Sequence, residues 1–145
     1  MMDLQARRTL LESSGLDVVD EAWSGSVPEP MAAWRPIISG DATPAARIPI
    51  QGPPGHLSEV QARWEQIASE SGLFDAEGEF LVSVAGEGTA NAPWALVRRM
   101  PEMVMAQKLG VVQGEPEFVA MSTSGHVVCG VTTEEYEVWI LSALL

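Results

Sequence analysis

The clearest helix signal in the chain lies in residues 57–71, which read LSEVQARWEQIASES. Apolar residues recur there at spacings of three, four and three, which places them on one face of a helix. Those residues are Leu57, Val60, Trp64 and Ile67. Ser58 and Gln61 fit a capping box at the helix start, and Gly72 is suited to end the helix in the left-handed conformation. We therefore predict a core-facing helix over residues 57–71.

Strand patterns follow this helix on its C-terminal side. Residues 79–85 read EFLVSVA, and their alternation places Phe80, Val82 and Val84 on one face of a strand. A short helix is predicted for residues 101–109, with a proline in the tolerated first turn. Three further strands are predicted, the last two joined by a tight turn at Ser124-Gly125. They cover residues 94–98, 117–123 and 127–132.

The C-terminal segment, residues 132–145, reads TTEEYEVWILSALL and fits two structures. Thr132 and Glu135 have the spacing of a capping box, and an apolar stripe of helical period follows them. The stripe consists of Tyr136, Trp139, Ile140 and Ala143. The aromatic and β-branched residues of the same segment also suit a strand. We favour the helix and keep the strand as the alternative.

The N-terminal third is less regular. A helix is predicted over residues 3–14, capped by Asp3 and ended by Gly15, and a short strand over residues 16–23. Residues 24–56 contain seven of the ten prolines, which block long helices and remove backbone donors. We predict an irregular segment packed on the domain, with a helical turn near residues 31–34 and a short edge strand at residues 48–50.

These elements predict a single compact α+β domain that spans residues 1–145. A chain of 145 residues is long enough to bury about two-thirds of its surface without disulfides. Strands joined by short turns favour a mainly antiparallel sheet, for which we expect about four or five strands with about three or four helices.

Composition excludes several classes of function. The chain has 20 acidic and 8 basic residues, a formal net charge of −12, which argues against binding nucleic acid or an anionic membrane surface. Its only cysteine, Cys129, allows no disulfide within the chain. The apolar run that a secretory signal needs does not follow the first arginines, so we expect a cytoplasmic protein.

No motif for a cofactor or a metal stands out. Gly86-Glu87-Gly88 lacks the third glycine of a dinucleotide site, and one cysteine with two histidines cannot supply a four-ligand zinc site. Cys129 and His126 lie three residues apart, so on a strand they point to opposite faces. We predict that Cys129 is structural, and we expect no cofactor and no metal.

Acidic residues accumulate at the C-terminal end of the chain, where no lysine or arginine follows Lys108. One-signed surfaces promote solubility, and they also steer oppositely charged partners. Aromatic residues among them supply interface anchors. We predict a surface that binds a basic protein, with no catalytic residues. Its residues are Glu115, Glu117, Glu134, Glu135, Tyr136, Glu137 and Trp139.

At the level of class, the chain resembles small acidic immunity proteins that neutralise bacterial toxins: it is short, strongly acidic and free of catalytic motifs. The resemblance implies a non-catalytic inhibitor of a basic toxin or enzyme. One alternative is an acidic homodimeric chaperone or adaptor for a secreted protein. Another is an enzyme that uses His56 or unmarked carboxylates.

Overall fold

The computed structural model describes residues 2–40, 42–51 and 55–145, and the secondary structure below refers to these ranges. Asp41 and residues 52–54, which belong to the segment predicted to be irregular, lie outside them. The helices are α1 (Leu4–Ser13), α2 (Pro30–Ile38), α3 (Gly55–Ser71) and α4 (Met105–Lys108). The strands are β1 (Asp17–Trp23), β2 (Ala46–Pro49), β3 (Glu79–Val84), β4 (Trp94–Arg98), β5 (Phe118–Met121), β6 (Val127–Thr133) and β7 (Glu137–Leu144).

The strands form one antiparallel sheet, in the order β1-β4-β3-β5-β6-β7-β2. The predicted α+β class and antiparallel sheet are confirmed, and the described residues contain four α-helices. The predicted count of four or five strands was wrong, because seven are present. The C-terminal segment adds β7, and the short strand β2 pairs with β7 to form one edge of the sheet.

Helices cover both faces of this sheet. Helices α1, α3 and α4 pack over one face, which carries the buried side chains of Phe80 and Val82 and which we call the α3 face. Helix α2 packs alone over the opposite face, which carries Leu81 and Val128 and which we call the α2 face. Each face therefore has its own hydrophobic core, with the sheet as the layer between them.

The C-terminal segment is a strand, so the predicted helix over residues 132–145 was wrong. In β7, Val138 and Ile140 point to the α3 face, while Trp139 and Leu141 point to the α2 face. Because helices cover both faces, apolar residues follow one another along the strand instead of alternating with polar ones. That continuous run accidentally contains the spacing of a helical stripe.

Helix α3 follows the predicted stripe but begins earlier than its sequence suggests. Leu57, Val60 and Trp64 are buried as predicted. The capping box was wrong, because the helix begins at Gly55 and the side chain of Gln61 is instead buried, accepting the Ala106 N–H at 2.9 Å. This bond holds α4, the part of the predicted 101–109 helix that is helical. None of the described helices is long and apolar enough to cross a bilayer.

Helix α2 lies within the proline-rich segment and is longer than the predicted turn. It sits close to the sheet because β6 has Gly130 beneath it: a Cβ there would come within 2.9–3.0 Å of three Ile37 side-chain atoms. The Trp34 indole N–H also donates to Ser83 Oγ of β3 at 2.9 Å. The position of α2 is therefore fixed both by close packing and by a buried hydrogen bond.

Candidate functional site

A row of polar and aromatic residues crosses the α2 face beside the C-terminal end of α2. The antiparallel register of β5 and β6, continued by one residue, sets Glu117 beside Thr132. Thr132 pairs with Trp139 of β7, and Trp139 pairs with Arg47 of β2. Neighbouring strands lie about 4.8 Å apart, so the row is about 14 Å long.

Two cavities open along this row, and together they form what we call the α2 groove. The larger has a volume of about 270 Å³ and the smaller about 150 Å³, and both are bordered by Ile38 and Glu117. The larger is also lined by Met31, Trp34, Ala85, Gly86, Thr89 and Ala90. The smaller is also lined by Ile37, Gly40, Thr132, Thr133, Glu134 and Trp139.

The carboxylates of the groove form no ion pair with another described residue. The ion pairs among residues 2–40, 42–51 and 55–145 involve Arg8, Arg98 and Arg99, and none of them includes Glu117 or Glu134. Glu134 is exposed and Glu117 is half-buried. The groove therefore combines unneutralised negative charge with apolar walls, an arrangement that attracts cationic groups.

Trp139 is the aromatic wall of the smaller cavity, and two charged residues position its ring. Its indole N–H donates to Glu137 Oε1 at 2.8 Å. The Arg47 guanidinium carbon lies 5.1 Å from its ring centroid, a cation–π contact. Trp139 is therefore half-buried, not the freely exposed anchor that the acidic C-terminal sequence suggested.

Thr132 lies at the floor of the smaller cavity and has an unsatisfied hydroxyl. The residue is 7% exposed, and its Oγ1 is buried with no hydrogen-bond partner in the described part of the chain. By contrast, the neighbouring Thr133 hydroxyl donates to the Pro116 carbonyl at 2.9 Å. Buried hydroxyls without a partner are uncommon in folded proteins, because leaving one unpaired costs about 1–3 kcal/mol.

The residues predicted to bind a partner are only partly brought together. Glu117, Glu134 and Trp139 line the smaller cavity, and the Glu137 carboxylate accepts the Trp139 N–H. The other three line neither cavity. Glu135 and Tyr136 lie in the turn between β6 and β7, where Tyr136 is 77% exposed, and Glu115 is exposed in the loop before β5.

Sequence reasoning did not identify Ile38 and Thr132 as groove residues, and it did not predict that Arg47 contacts Trp139. Ile38 is 55% exposed at the end of α2, and the prolines of this segment had led us to predict only a helical turn there. Thr132 was interpreted as a helix cap because the C-terminal segment was expected to be helical. The Arg47–Trp139 contact depends on the β2–β7 pairing, which no local signal in the sequence encodes.

The histidines and the cysteine form no common site. Cys129 is 0% exposed on the α3 face, and its thiol donates to Ser142 Oγ at 3.9 Å. Burial raises the pKa of Cys129, and hydrogen bonds with Ser142 and Ser71 partly oppose this. His56 is buried, with Nδ1 3.1 Å from the Gln51 carbonyl oxygen. No group of three or more acidic, histidine or cysteine side chains in the described residues is arranged to hold a metal ion.

Comparison with known proteins gives no relative for this chain: no family model, curated protein or solved structure matches it.

Proposed function

We propose that the chain is a small acidic binding protein without catalytic activity, and that its partner is a basic protein. In its specific form, the proposal is an immunity or inhibitor protein that neutralises a basic bacterial toxin or enzyme in the cytoplasm. The observation that carries it is the α2 groove, where the Glu117 and Glu134 carboxylates have no ion-pair partner in the described residues and border apolar walls.

Electrostatic attraction supports a basic partner. The chain carries a net charge of −12, and the carboxylates of Glu117, Glu134 and Glu135 form no ion pair with another described residue. Complementary charge raises association rates above those of uncharged surfaces, by a factor that falls as salt increases. The groove region therefore has the charge expected of a surface that captures a basic protein.

Apolar residues beside these charges supply the contacts that slow dissociation. Ile38 is exposed between the two cavities, Trp139 forms one wall, and Tyr136 extends from the neighbouring turn. Tyrosine and tryptophan are enriched among the residues that dominate binding energy. The charges are thus suited to encounter, and the apolar groups to retention of the partner.

The groove suits a basic partner better than a second copy of the chain. In a two-fold symmetric dimer the same patch lies on both subunits, so a dimer formed through this surface would bring Glu117 and Glu134 against their own equivalents. Like charges in an interface are unfavourable. The enzyme alternative lacks a comparable feature, since the ring of His56 lies against a main-chain carbonyl.

The test begins by capturing a partner from the native host on the immobilised chain at low salt, and by purifying that partner. We expect a basic protein whose association rate falls about tenfold or more as salt rises through the physiological range. Adding the chain to the purified partner should inhibit the partner's own activity. A partner that binds but keeps its activity would favour an adaptor over an inhibitor.

A pair of matched variants locates the surface. Glu134→Lys with Glu135→Lys reverses charge beside the groove, whereas Glu59→Lys with Glu70→Lys makes the same change at exposed positions of α3. The first variant should slow association about tenfold, and the second should slow it far less, because the field of a charge weakens with distance and screening. Equal rates for the two variants, or an association rate independent of salt, would contradict the proposal.

A further inference from the structure

The smaller cavity of the α2 groove has more polar capacity than the described residues use. Glu117 and Glu134 line it without an ion pair, and the Thr132 Oγ1 has no partner. All three groups accept hydrogen bonds, and the carboxylates are acceptors only. The cavity is therefore built to receive a donor, and the two carboxylates favour a donor that carries positive charge.

We infer that this cavity receives the ammonium group of one lysine side chain of the basic partner, an inference that rests on the proposed function. The three acceptors come from three places in the fold: the residue before β5, strand β6 and the β6–β7 turn. An ammonium group has three donors that point in separate directions, so it can serve separate acceptors. A guanidinium group is planar and pairs best with both oxygens of one carboxylate.

The size and the walls of the cavity agree with a lysine side chain. Its volume of about 150 Å³ is enough for several water-sized groups. A lysine side chain has five non-hydrogen atoms, four of them methylene carbons. Ile37, Ile38 and Trp139 provide apolar surface for such a stem.

The Thr132 Oγ1 is buried, so the residual exposure of Thr132 belongs to its other atoms. Rotation about χ1 exchanges the positions of the hydroxyl and the methyl group among staggered rotamers. In a rotamer that placed Oγ1 at the cavity, an ammonium donor would satisfy the hydroxyl. A group that is unsatisfied alone and satisfied with a ligand favours the bound state.

The test uses n-butylammonium as a mimic of the lysine side chain, titrated into the full ¹⁵N-labelled chain at constant ionic strength. We expect saturable shifts of the backbone amides around the cavity, those of Gly40, Thr132, Thr133 and Glu134. 1-Butanol should produce no such shifts, and n-butylguanidinium should bind more weakly. Equal shifts with 1-butanol, tighter binding of the guanidinium, or no saturable shift around the cavity would overturn the inference.

Thr132→Val separates a ligand acceptor from a structural threonine, because it removes the hydroxyl and preserves the shape. We expect it to weaken n-butylammonium binding at least threefold while the melting temperature stays equal or rises, since an unpaired buried hydroxyl is removed. Glu117→Gln should also weaken binding, whereas Glu77→Gln, an exposed carboxylate away from the groove, should not. Unchanged binding in Thr132→Val, with a lower melting temperature, would show that Thr132 is structural and would overturn its role.

The site and the proposed function can fail separately in these experiments. A cavity that binds n-butylammonium in a chain with no basic protein partner would contradict the function and leave the site in place. A partner whose association depends on salt, but which keeps its affinity for the Thr132→Val and Glu117→Gln variants, would contradict the site and leave the function in place.

Discussion

Trp64 and Trp139 lie on opposite faces of the same sheet, and their surroundings differ sharply. Trp64 belongs to α3 and is 0% exposed between that helix and the sheet, with its ring edge-on to Phe118 at 5.4 Å between centroids. Trp139 is half-buried beside a single helix of nine residues, and the neighbouring Ile38 remains exposed. Because one sheet lies against both rings, the difference comes from how far the helices extend over each face.

Acidic residues on the two sides of the sheet also differ in whether they have a basic neighbour. On the outside of α3, the Glu65 carboxylate lies 3.9 Å from the Arg99 guanidinium, so this carboxylate has a basic neighbour. Beside the α2 groove, Glu117 and Glu134 have no such neighbour in the described residues. The α3 face therefore has the features of a closed core, whereas the α2 face combines a core with the open, negatively charged α2 groove. Substitutions on the two faces should separate stability from binding.

Replacing each tryptophan by alanine gives the largest expected contrast. Trp64→Ala should lower the free energy of unfolding by about 3–5 kcal/mol, because it leaves a cavity in a fully closed core. Trp139→Ala should lower it by only about 1–2 kcal/mol, since the ring is already partly in contact with solvent. Urea unfolding of both variants measures the difference. Equal losses would mean that the two faces contribute equally to stability.

A substitution at Gly130 tests whether α2 depends on its close approach to the sheet. Gly130→Ala should cost about 1–3 kcal/mol, because the new methyl group would meet three atoms of Ile37 at 2.9–3.0 Å. Smaller residues at position 37 should relieve the contact. In the double variant Gly130→Ala with Ile37→Ala, the total loss should be smaller than the sum of the two single losses. Strictly additive losses would show that α2 does not depend on this contact.

The reaction rate of a cysteine on each face with a thiol reagent measures how well the helices cover that face. Cys129 lies on the α3 face and should react slowly with a thiol reagent in the folded protein and rapidly in denaturant. An Ile38→Cys substitution, combined with Cys129→Ala, should react rapidly in the folded state, because position 38 is exposed. Comparable rates in the folded state would contradict the difference in coverage.

The raised pKa of Cys129 also predicts how stability depends on pH. The unfolded thiol ionises near pH 9, whereas the folded thiol keeps its proton to higher pH. The unfolded state then binds fewer protons, so stability should fall above about pH 9 by up to about 1.4 kcal/mol per pH unit, and should be unaffected below that range. Cys129→Ala should remove this slope at a cost of about 1–2 kcal/mol. Retention of the slope in the variant would assign it to another group.

The sequence was sufficient where one local pattern dominated. The stripe of α3, the hairpin of β5 and β6, and the glycine that ends α1 were all predicted, since each depends on residues close together in the chain. Strand β7 was only the alternative to a helix, because burial on both faces removes the alternation that normally identifies a strand. The length of α2 was missed because Pro36 lies inside the helix, where a proline removes a backbone hydrogen bond and normally ends a helix.

The site was harder to predict than the fold. The acidic C-terminal residues were visible in the sequence, and three of them line or adjoin the cavity: Glu117, Glu134 and Glu137. The cavity itself depends on how α2 ends beside β6, and so on contacts between residues about one hundred positions apart. An unpaired hydroxyl such as that of Thr132 is a property of the packed structure and has no signal in the sequence.

The smallest expected change in stability comes from the exposed glutamates of the β6–β7 turn. Glu134→Lys with Glu135→Lys should change the free energy of unfolding by no more than about 0.5 kcal/mol, because both side chains are exposed and neither forms an ion pair among the described residues. Glu137→Lys should cost more, about 1 kcal/mol, because it removes the acceptor of the Trp139 N–H at 2.8 Å.

The dependence of stability on salt gives a second comparison between the wild type and the double variant Glu134→Lys with Glu135→Lys. At a net charge of −12 the folded chain repels itself, so added salt should stabilise the wild type by screening the repulsion. The double variant has a smaller negative charge and should gain less. Urea unfolding at low salt and at about 1 M salt, where the screening length is about 3 Å, measures both gains. A double variant that is strongly destabilised at both salt concentrations would mean that these glutamates support the fold. Stability and binding would then not belong to separate parts of the molecule.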